Sequence, residues 1–175
     1  MIIFLGLAGS GKSTQGQILA KKHGWQWISA GQVLRESGNF DKRIQQGELA
    51  DIDVVTRLMG DKFDEAQQAG KKIILDGFPR SEEQAQWLVD NYLDDVELVI
   101  YMEVLREEVS ERMLRRGRID DTPEAIQRRI EIAEQNIYSI LSLLREHNIR
   151  IENIDGTGSI AEVTARLEKA IDEQK

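Results

Sequence analysis

Short apolar runs alternate along the chain with longer segments in which apolar residues recur every three or four positions. Continuous apolar runs of about four to eight residues are typical of buried parallel strands, whereas the longer spacing is typical of amphipathic helices. A helix after each strand favours an α/β fold, with helices on both faces of a parallel sheet. Five strands are predicted, over residues 2–5, 25–28, 72–75, 96–104 and 150–154.

The longest predicted helix covers residues 123–146 and has the clearest start signal. Thr122 is a typical N-cap residue, and Pro123 follows at the first helical position. Proline is favoured there because a backbone N–H at this position would have no partner within the helix. Apolar residues then recur on one helix face, which predicts that they pack in the core. These residues are Ile126, Ile130, Ala133, Ile137, Leu141 and Leu144.

A helical insertion is predicted between the second and third strands. Residues 38–70 carry helical patterns over 39–46 and 51–69, separated by a turn at Gly47, and contain no strand pattern. Helices that follow one another without a strand do not extend a parallel sheet. This segment is therefore expected to form a helical insertion in the α/β fold. The remaining predicted helices span 15–23, 30–35, 81–92, 105–116 and 160–172, with Ser29, Ser81 and Ser159 as N-caps.

A phosphate-loop motif directly follows the first predicted strand. Gly6, Gly11, Lys12 and Ser13 match the pattern of glycine, four residues, glycine, lysine and serine or threonine. The glycines let backbone N–H groups turn toward a polyphosphate, and the lysine supplies a charge for the β and γ phosphates. The serine hydroxyl offers a ligand to Mg²⁺, and the positive end of the next helix faces the anion. The motif predicts a site for a nucleoside triphosphate.

Composition narrows the class of protein further. The chain has 175 residues, no cysteine and a formal net charge of −8. We therefore expect one domain, without disulfides or thiolate metal sites and without a nucleic-acid partner. No signal peptide and no apolar run of membrane-spanning length is visible, so we expect no membrane partner and a cytoplasmic location.

Two further motifs carry a resemblance to a known family. Residues 29–35 read Ser-Ala-Gly-Gln-Val-Leu-Arg, and residues 76–85 read Asp-Gly-Phe-Pro-Arg-Ser-Glu-Glu-Gln-Ala. Together with the phosphate loop they resemble the signatures of the nucleoside monophosphate kinases, and most closely those of the adenylate kinases. The resemblance implies a P-loop NTPase-type fold, ATP and AMP as substrates, Mg²⁺ as cofactor and a role in nucleotide biosynthesis.

The resemblance also implies a role for each matching residue. Lys12, Asp76, Arg80, Arg118 and Arg129 match catalytic positions of the family, with Arg118 and Arg129 closing on the transferred phosphoryl group. Matching ATP-binding positions are Gly9, Ser10, Gly11, Lys12, Ser13, Thr14, Arg112, Arg116 and Gly158. Matching AMP-binding positions are Ala30, Arg35, Leu49, Gly77, Arg80 and Gln84, of which Gln84 reads the acceptor base. For Mg²⁺ the implied contacts are Ser13 directly and Asp76 through water.

The resemblance implies a division of the chain, with one unusual part. The core would comprise residues 1–29, 71–116 and 119–175, and the monophosphate-binding insertion residues 30–59. Only a vestige of the family's mobile lid would remain, at residues 116–119. Because the lid is so short, the assignment of Arg116 and Arg118 is open by one turn, and Arg115 is an alternative to either.

Three single residues also depart from the adenylate kinase pattern. Ser13 stands where these enzymes usually have glycine, and Gln32 where they usually have aspartate. Ala30 replaces the common threonine and is typical of UMP/CMP kinases, whereas Gln84 is typical of adenylate kinases. A UMP/CMP kinase on the same fold is therefore one alternative, and a nucleotide-binding switch or slow ATPase is a second. The chain is expected to be a monomer or a small homo-oligomer.

Overall fold

A computed structural model describes residues 1–173 of the chain. Within them the element order follows the predicted alternation of strands and helices, with a short 3₁₀ turn at Leu93–Asp95. The strands are β1 Ile2–Leu5, β2 Gln26–Ser29, β3 Ile73–Asp76, β4 Leu98–Glu103 and β5 Ile151–Asp155. The helices are α1 Lys12–His23, α2 Ala30–Glu36, α3 Lys42–Gln45, α4 Ile52–Gln68, α5 Glu82–Tyr92, α6 Arg106–Arg116, α7 Pro123–Glu146 and α8 Ile160–Asp172.

The described strands form one parallel five-stranded sheet in the order β2-β3-β1-β4-β5. Its central strand β1 is fully buried, and alternate β1 side chains belong to different clusters. Ile3 and Leu5 pack in a cluster with α4, α5 and α7, whereas Ile2 and Phe4 pack with α1 and α8. The predicted α/β class, with helices on both faces of the sheet, is confirmed.

Several predicted boundaries were wrong for local reasons. The helix predicted over residues 39–46 is reduced to α3, because the Asp41 side chain accepts a hydrogen bond from the Ile44 N–H and caps the helix later. The strand predicted from residue 96 begins at Leu98, because the Val96 N–H bonds back to Leu93 in the 3₁₀ turn. Ser29 holds the N-cap position of α2, but its side chain makes no capping hydrogen bond.

The long helix α7 follows its prediction at both ends and only partly along its apolar face. The Thr122 side chain accepts from the Ala125 N–H, and the helix ends at Glu146. Ile126, Ile130, Leu141 and Leu144 are buried, as the stripe predicts. Ala133 and Ile137 are only half-buried, because both line a cavity of the molecule.

The topology places several loops at one edge of the sheet. The phosphate loop follows β1, residues 77–80 follow β3, and residues 156–159 follow β5. Since all described strands are parallel, these loops meet where the strands end, which is where open α/β sheets bind ligands. Between Gly117 and Thr122 the chain connects α6 to α7 without a further element. No helix in residues 1–173 is long and apolar enough to cross a membrane.

Candidate active site

The phosphate loop requires glycine at two positions where other elements press against it. Gly6 and Gly9 have φ angles of 133° and 89°, a region that L side chains rarely adopt. A Cβ added at Gly6 would lie 2.5 Å from the Met102 carbonyl oxygen, and one at Gly9 would lie 2.7 Å from the Val109 carbonyl oxygen. The loop is therefore packed against β4 and α6, and α1 begins directly behind it at Lys12.

Lys12 lies at the centre of this loop with its ammonium group folded inward. Nζ donates to the carbonyl oxygens of Gly6 at 2.8 Å and Leu7 at 2.7 Å, and to the Ser10 hydroxyl at 3.2 Å. Burial lowers the pKa of Lys12 to about 8, although the nearby Asp76 carboxylate raises it. A polyphosphate in the loop would compensate the charge and restore a higher pKa.

Ser13 and Asp76 form a pair of oxygen donors beside Lys12. The Ser13 hydroxyl donates to Asp76 Oδ2 at 2.5 Å, and Asp76 is the buried last residue of β3. Hydroxyl and carboxylate oxygens are hard ligands, which suits Mg²⁺. The described residues contain no cluster of three His, Asp or Glu side chains that would form a complete metal cage. A Mg²⁺ ion here would share its ligands with nucleotide phosphates and water, and the donor set fits that use.

A cleft of about 600 Å³ opens above the loop and contains most of the predicted site residues. Phe40, Ile44 and Glu48 of the insertion also line it, although no motif in the sequence pointed to these three. The predicted residues along the cleft are Gly9, Ser10, Gly11, Lys12, Ser13, Thr14, Arg35, Asp76, Arg80, Arg112, Arg116, Arg118, Arg129 and Gly158. Residues predicted to face the donor and the acceptor therefore share one space.

Two buried aspartates hold two of the arginines in the cleft. Asp121 accepts two hydrogen bonds from Arg116, at 2.8 and 2.7 Å, and one from Arg129 at 3.1 Å; Asp120 pairs with Arg129 as well. Burial would raise the pKa of Asp121, but the hydrogen bond and charge of Arg116 outweigh it and lower that pKa. The sequence left open whether these two aspartates orient Arg118 or only precede the Thr122 cap; the structure pairs their side chains with Arg116 and Arg129. The available signal was an Asp-Asp pair between an arginine-rich helix and a helix cap.

Three other arginines in the cleft form no ion pair with a carboxylate of the described chain. Arg80 Nε donates to the Gly77 carbonyl oxygen at 2.8 Å, and the Arg35 guanidinium lies 5.3 Å from the centre of the Phe40 ring. Desolvation by the surrounding protein lowers the pKa of Arg80, although the residue is exposed to solvent. Desolvation together with the charges of Arg116 and Arg35 lowers the pKa of Arg118. Crowded guanidinium groups without carboxylate partners are suited to an anionic ligand.

Arg112 joins two loops at one end of the cleft. Its guanidinium pairs with Glu108 at 2.5 Å and donates to the Gly156 carbonyl oxygen at 3.1 Å and the Ser10 carbonyl oxygen at 3.4 Å. It therefore connects the phosphate loop to the loop after β5. Arg115 was an alternative for a cleft arginine, but its side chain is 80% exposed and pairs with Glu111, outside the cleft.

The predicted base reader Gln84 is held in one orientation. Its side chain is 3% exposed, and Oε1 accepts from the Arg80 backbone N–H at 2.8 Å. This hydrogen bond leaves the amide NH₂ as the donor group of the side chain, but Gln84 is not among the residues that line the main cleft. Ala30 is also buried, whereas Leu49 and Gly77 line a second cavity rather than the main cleft. The peptide bond between Phe78 and Pro79 is cis.

Comparison with known proteins agrees with this architecture. The sequence profile described as adenylate kinase matches residues 4–149. An adenylate kinase of Mycobacterium ulcerans (strain Agy99) is 33% identical over 97% of this chain and 98% of the relative. Those of Prochlorococcus marinus and Maricaulis maris are each 32% identical, over 97% and 99% of this chain and the same shares of the relatives. The chain therefore belongs to the adenylate kinase family, whose members are phosphotransferases with a phosphate group as acceptor.

Proposed function

We propose that this protein converts ATP and AMP reversibly into two molecules of ADP, with both nucleotides bound in the 600 Å³ cleft. The observation that carries the proposal is that Lys12 lines the same space as three arginines without an ion pair among residues 1–173, namely Arg35, Arg80 and Arg118. ATP would lie on the phosphate loop and extend toward Gly158. AMP would lie on the side of the insertion, with its phosphate on Arg35 and Arg80.

Direct transfer needs no general base in this cleft. An AMP phosphate oxygen attacks the γ phosphorus of ATP, the new P–O bond forms, and the bond to the β–γ bridging oxygen breaks, which leaves ADP on both sides. The attacking oxygen is already ionised at neutral pH, so the side chains position the two anions and neutralise their charge. We assign this task to Lys12, Arg80, Arg118 and Arg129, with Asp120 and Asp121 fixing the guanidinium of Arg129.

Mg²⁺ when bound would neutralise the phosphate oxygens between which the phosphoryl group moves. Ser13 would be a direct ligand, and Asp76 would hold a water of the ion through its carboxylate. The hydrogen bond between the two side chains supports this assignment, because it places both oxygens beside the ammonium group that faces the β and γ phosphates.

We infer that residues 30–59 form the acceptor-binding insertion and that the residues at 116–119 are all that remains of a lid. The core would then comprise residues 1–29, 71–116 and 119–175. The distance along the chain supports this division, because α6 ends at Arg116 and α7 begins at Pro123. A cytoplasmic location and a monomeric or small homo-oligomeric state stay predictions from the sequence.

The orientation of Gln84 favours AMP among the acceptors. With Oε1 occupied by the Arg80 N–H, the amide presents a donor to the base. Adenine N1 and cytosine N3 are acceptors, whereas guanine N1 and uracil N3 carry hydrogen. A donor facing an N–H leaves both groups unpaired, which costs about 1–3 kcal/mol for each buried group. GMP and UMP should therefore be poor acceptors, and the family favours AMP over CMP.

A coupled assay with ATP and each monophosphate tests the proposed function. We expect turnover with AMP to exceed that with GMP or UMP at least 100-fold in kcat/KM, with CMP in between. Dominant transfer to CMP or UMP would support the pyrimidine alternative and contradict the adenylate kinase assignment. Tight ATP binding without transfer to any of the four would support a nucleotide-binding switch.

The short connection between α6 and α7 predicts weak ATP hydrolysis when no acceptor is present. Without a lid, water has access to the γ phosphate, since lids exclude it in related reactions. We expect hydrolysis above the buffer rate in the presence of Mg²⁺ and ATP, suppressed when AMP is added. Hydrolysis equal to that of a Lys12→Met control would show that the cleft excludes water by another means.

A further inference from the structure

The helix α2 ends in a turn that reverses the chain. Gly38 has a φ of 75°, in the left-handed region that glycine adopts readily. Its N–H donates to the Arg35 carbonyl oxygen at 3.3 Å, and the Asn39 N–H donates to the Leu34 carbonyl oxygen at 3.1 Å. These two bonds are the common end of a helix at a left-handed glycine. The reversal brings the next side chain, Phe40, back to the end of α2.

Phe40 is held through both its backbone and its ring. The Gln45 side chain donates to the Phe40 carbonyl oxygen at 3.2 Å, and the following residue, Asp41, caps α3. The ring is half-buried, packs against the core cluster that contains Ile3 and Leu5, and lines the active-site cleft. The ring is therefore a fixed part of the cleft wall.

The Arg35 guanidinium lies over this ring. Its central carbon is 5.3 Å from the centre of the Phe40 ring. One turn earlier on α2, a Cβ added at Gly31 would lie 3.5 Å from both terminal nitrogens of the guanidinium, so the group also lies close to the first turn of the helix. No hydrogen bond or ion pair within residues 1–173 holds the Arg35 side chain.

Arg35 is surrounded by like charges in the cleft. Desolvation lowers the pKa of Arg80 and of Arg118, and the charge of Arg35 lowers both further. Repulsion of this kind favours a long side chain that turns away from the cleft unless a contact holds it. The face of an aromatic ring attracts a cation and leaves the N–H donors in the guanidinium plane free. By contrast, the carboxylates that hold Arg129 occupy its donors.

We propose that Phe40 is a positioning residue for the acceptor phosphate: its ring holds the Arg35 guanidinium in the cleft with its N–H donors free. The inference rests on the proposed function, which assigns the AMP phosphate to Arg35 and Arg80. The contact exists before AMP binds and persists during transfer. Its loss should therefore weaken AMP binding and raise KM for AMP, with little effect on kcat.

Steady-state kinetics of three variants test this role. Phe40→Leu keeps an apolar side chain and removes the aromatic face, so KM for AMP should rise about fivefold, with kcat and KM for ATP within about twofold of wild type. Phe40→Tyr retains the ring and should match wild type. Tyr138→Leu removes an 82% exposed ring from α7 and controls for the loss of an aromatic residue. An unchanged KM for AMP in Phe40→Leu would overturn the proposal.

A double-mutant cycle with Arg35→Met separates positioning from the other roles that Phe40 could have. If the ring acts through Arg35, Phe40→Leu should change kcat/KM for AMP by less than about twofold in the Arg35→Met background. A loss of about fivefold that persists in this background would show that the ring contacts AMP itself or only supports the insertion. Either result would overturn the proposal.

NMR of the free protein distinguishes failure of this inference from failure of the proposed function. The Phe40 ring current should shift the signals of the Arg35 side-chain protons upfield, and Phe40→Leu should remove the shift. Absence of the shift in wild type would overturn the positioning role whether or not phosphoryl transfer occurs. If wild type transfers to CMP or UMP instead of AMP, the proposed function fails, and the same cycle run with that acceptor decides the role of Phe40. If it transfers to no monophosphate, both fail.

Discussion

Lys12→Met should lower kcat/KM for phosphoryl transfer about 10³-fold or more, which is about 4 kcal/mol of transition-state stabilisation. Lys12 is the one ammonium group inside the phosphate loop, where the Gly6 and Leu7 carbonyl oxygens hold it. Methionine has a similar length and no charge, so it should remove the neutralisation while preserving the packing of α1. Steady-state kinetics with saturating AMP and varied ATP measure the loss.

The matched control for this variant is Lys21→Met. Lys21 lies on the same helix but is exposed, so its removal changes the net charge equally without touching the loop. Its kcat/KM should stay within about twofold of wild type. If both variants lost activity alike, the effect would come from net charge and not from the loop.

The pH dependence of ATP binding gives an independent view of the same group. Because burial lowers the pKa of Lys12 to about 8, the free protein loses this charge as the pH rises above 8. Bound ATP favours the ammonium form, so binding takes up a proton there and affinity should fall by up to tenfold per pH unit. In Lys12→Met this loss of affinity above pH 8 should disappear.

The fold could be predicted from the sequence because its signals are local. Apolar runs, caps and the phosphate loop indicated the order of elements and the parallel sheet, and the family resemblance is confirmed by the profile and the relatives. The predicted helix boundaries were wrong where one hydrogen bond decides which of several neighbouring residues begins the helix, as at Asp41 for α3. Helix propensity does not distinguish these start positions, since several nearby residues could serve as the N-cap.

The site could be predicted only as far as its motifs extend. The phosphate loop and the turn after β3 bring their residues together by topology alone. The pairing of Asp121 with Arg116 and Arg129 depends on how α6 meets α7 across a short connection, which no local pattern encodes. The second cavity was missed for a similar reason: the periodicity of α7 marks Ala133 as apolar but does not say whether its neighbours fill the space.

Arg80→Met should lower kcat/KM for AMP about 10³-fold while leaving ATP affinity nearly unchanged. Arg80 is the cleft arginine closest in sequence to Gln84: its backbone N–H donates to Gln84 Oε1, and its side-chain Nε donates to the Gly77 carbonyl oxygen. The variant keeps the backbone bond that orients Gln84 and removes only the fork that would hold the AMP phosphate. Arg80→Lys should recover a small part of the activity, because lysine restores the charge but not bidentate binding.

This variant separates catalysis from folding better than any change at Arg129. Removing Arg129 would leave Asp120 and Asp121 buried with fewer partners, which costs several kcal/mol of stability. Within the described chain, the Arg80 side chain makes a single hydrogen bond, to the Gly77 carbonyl oxygen. Arg80→Met should therefore have a melting temperature within a few degrees of wild type. Arg115→Met, at an 80% exposed position, is the control for lost charge. If Arg80→Met weakened ATP binding as strongly as AMP binding, the assignment of Arg80 to the acceptor side of the cleft would be wrong.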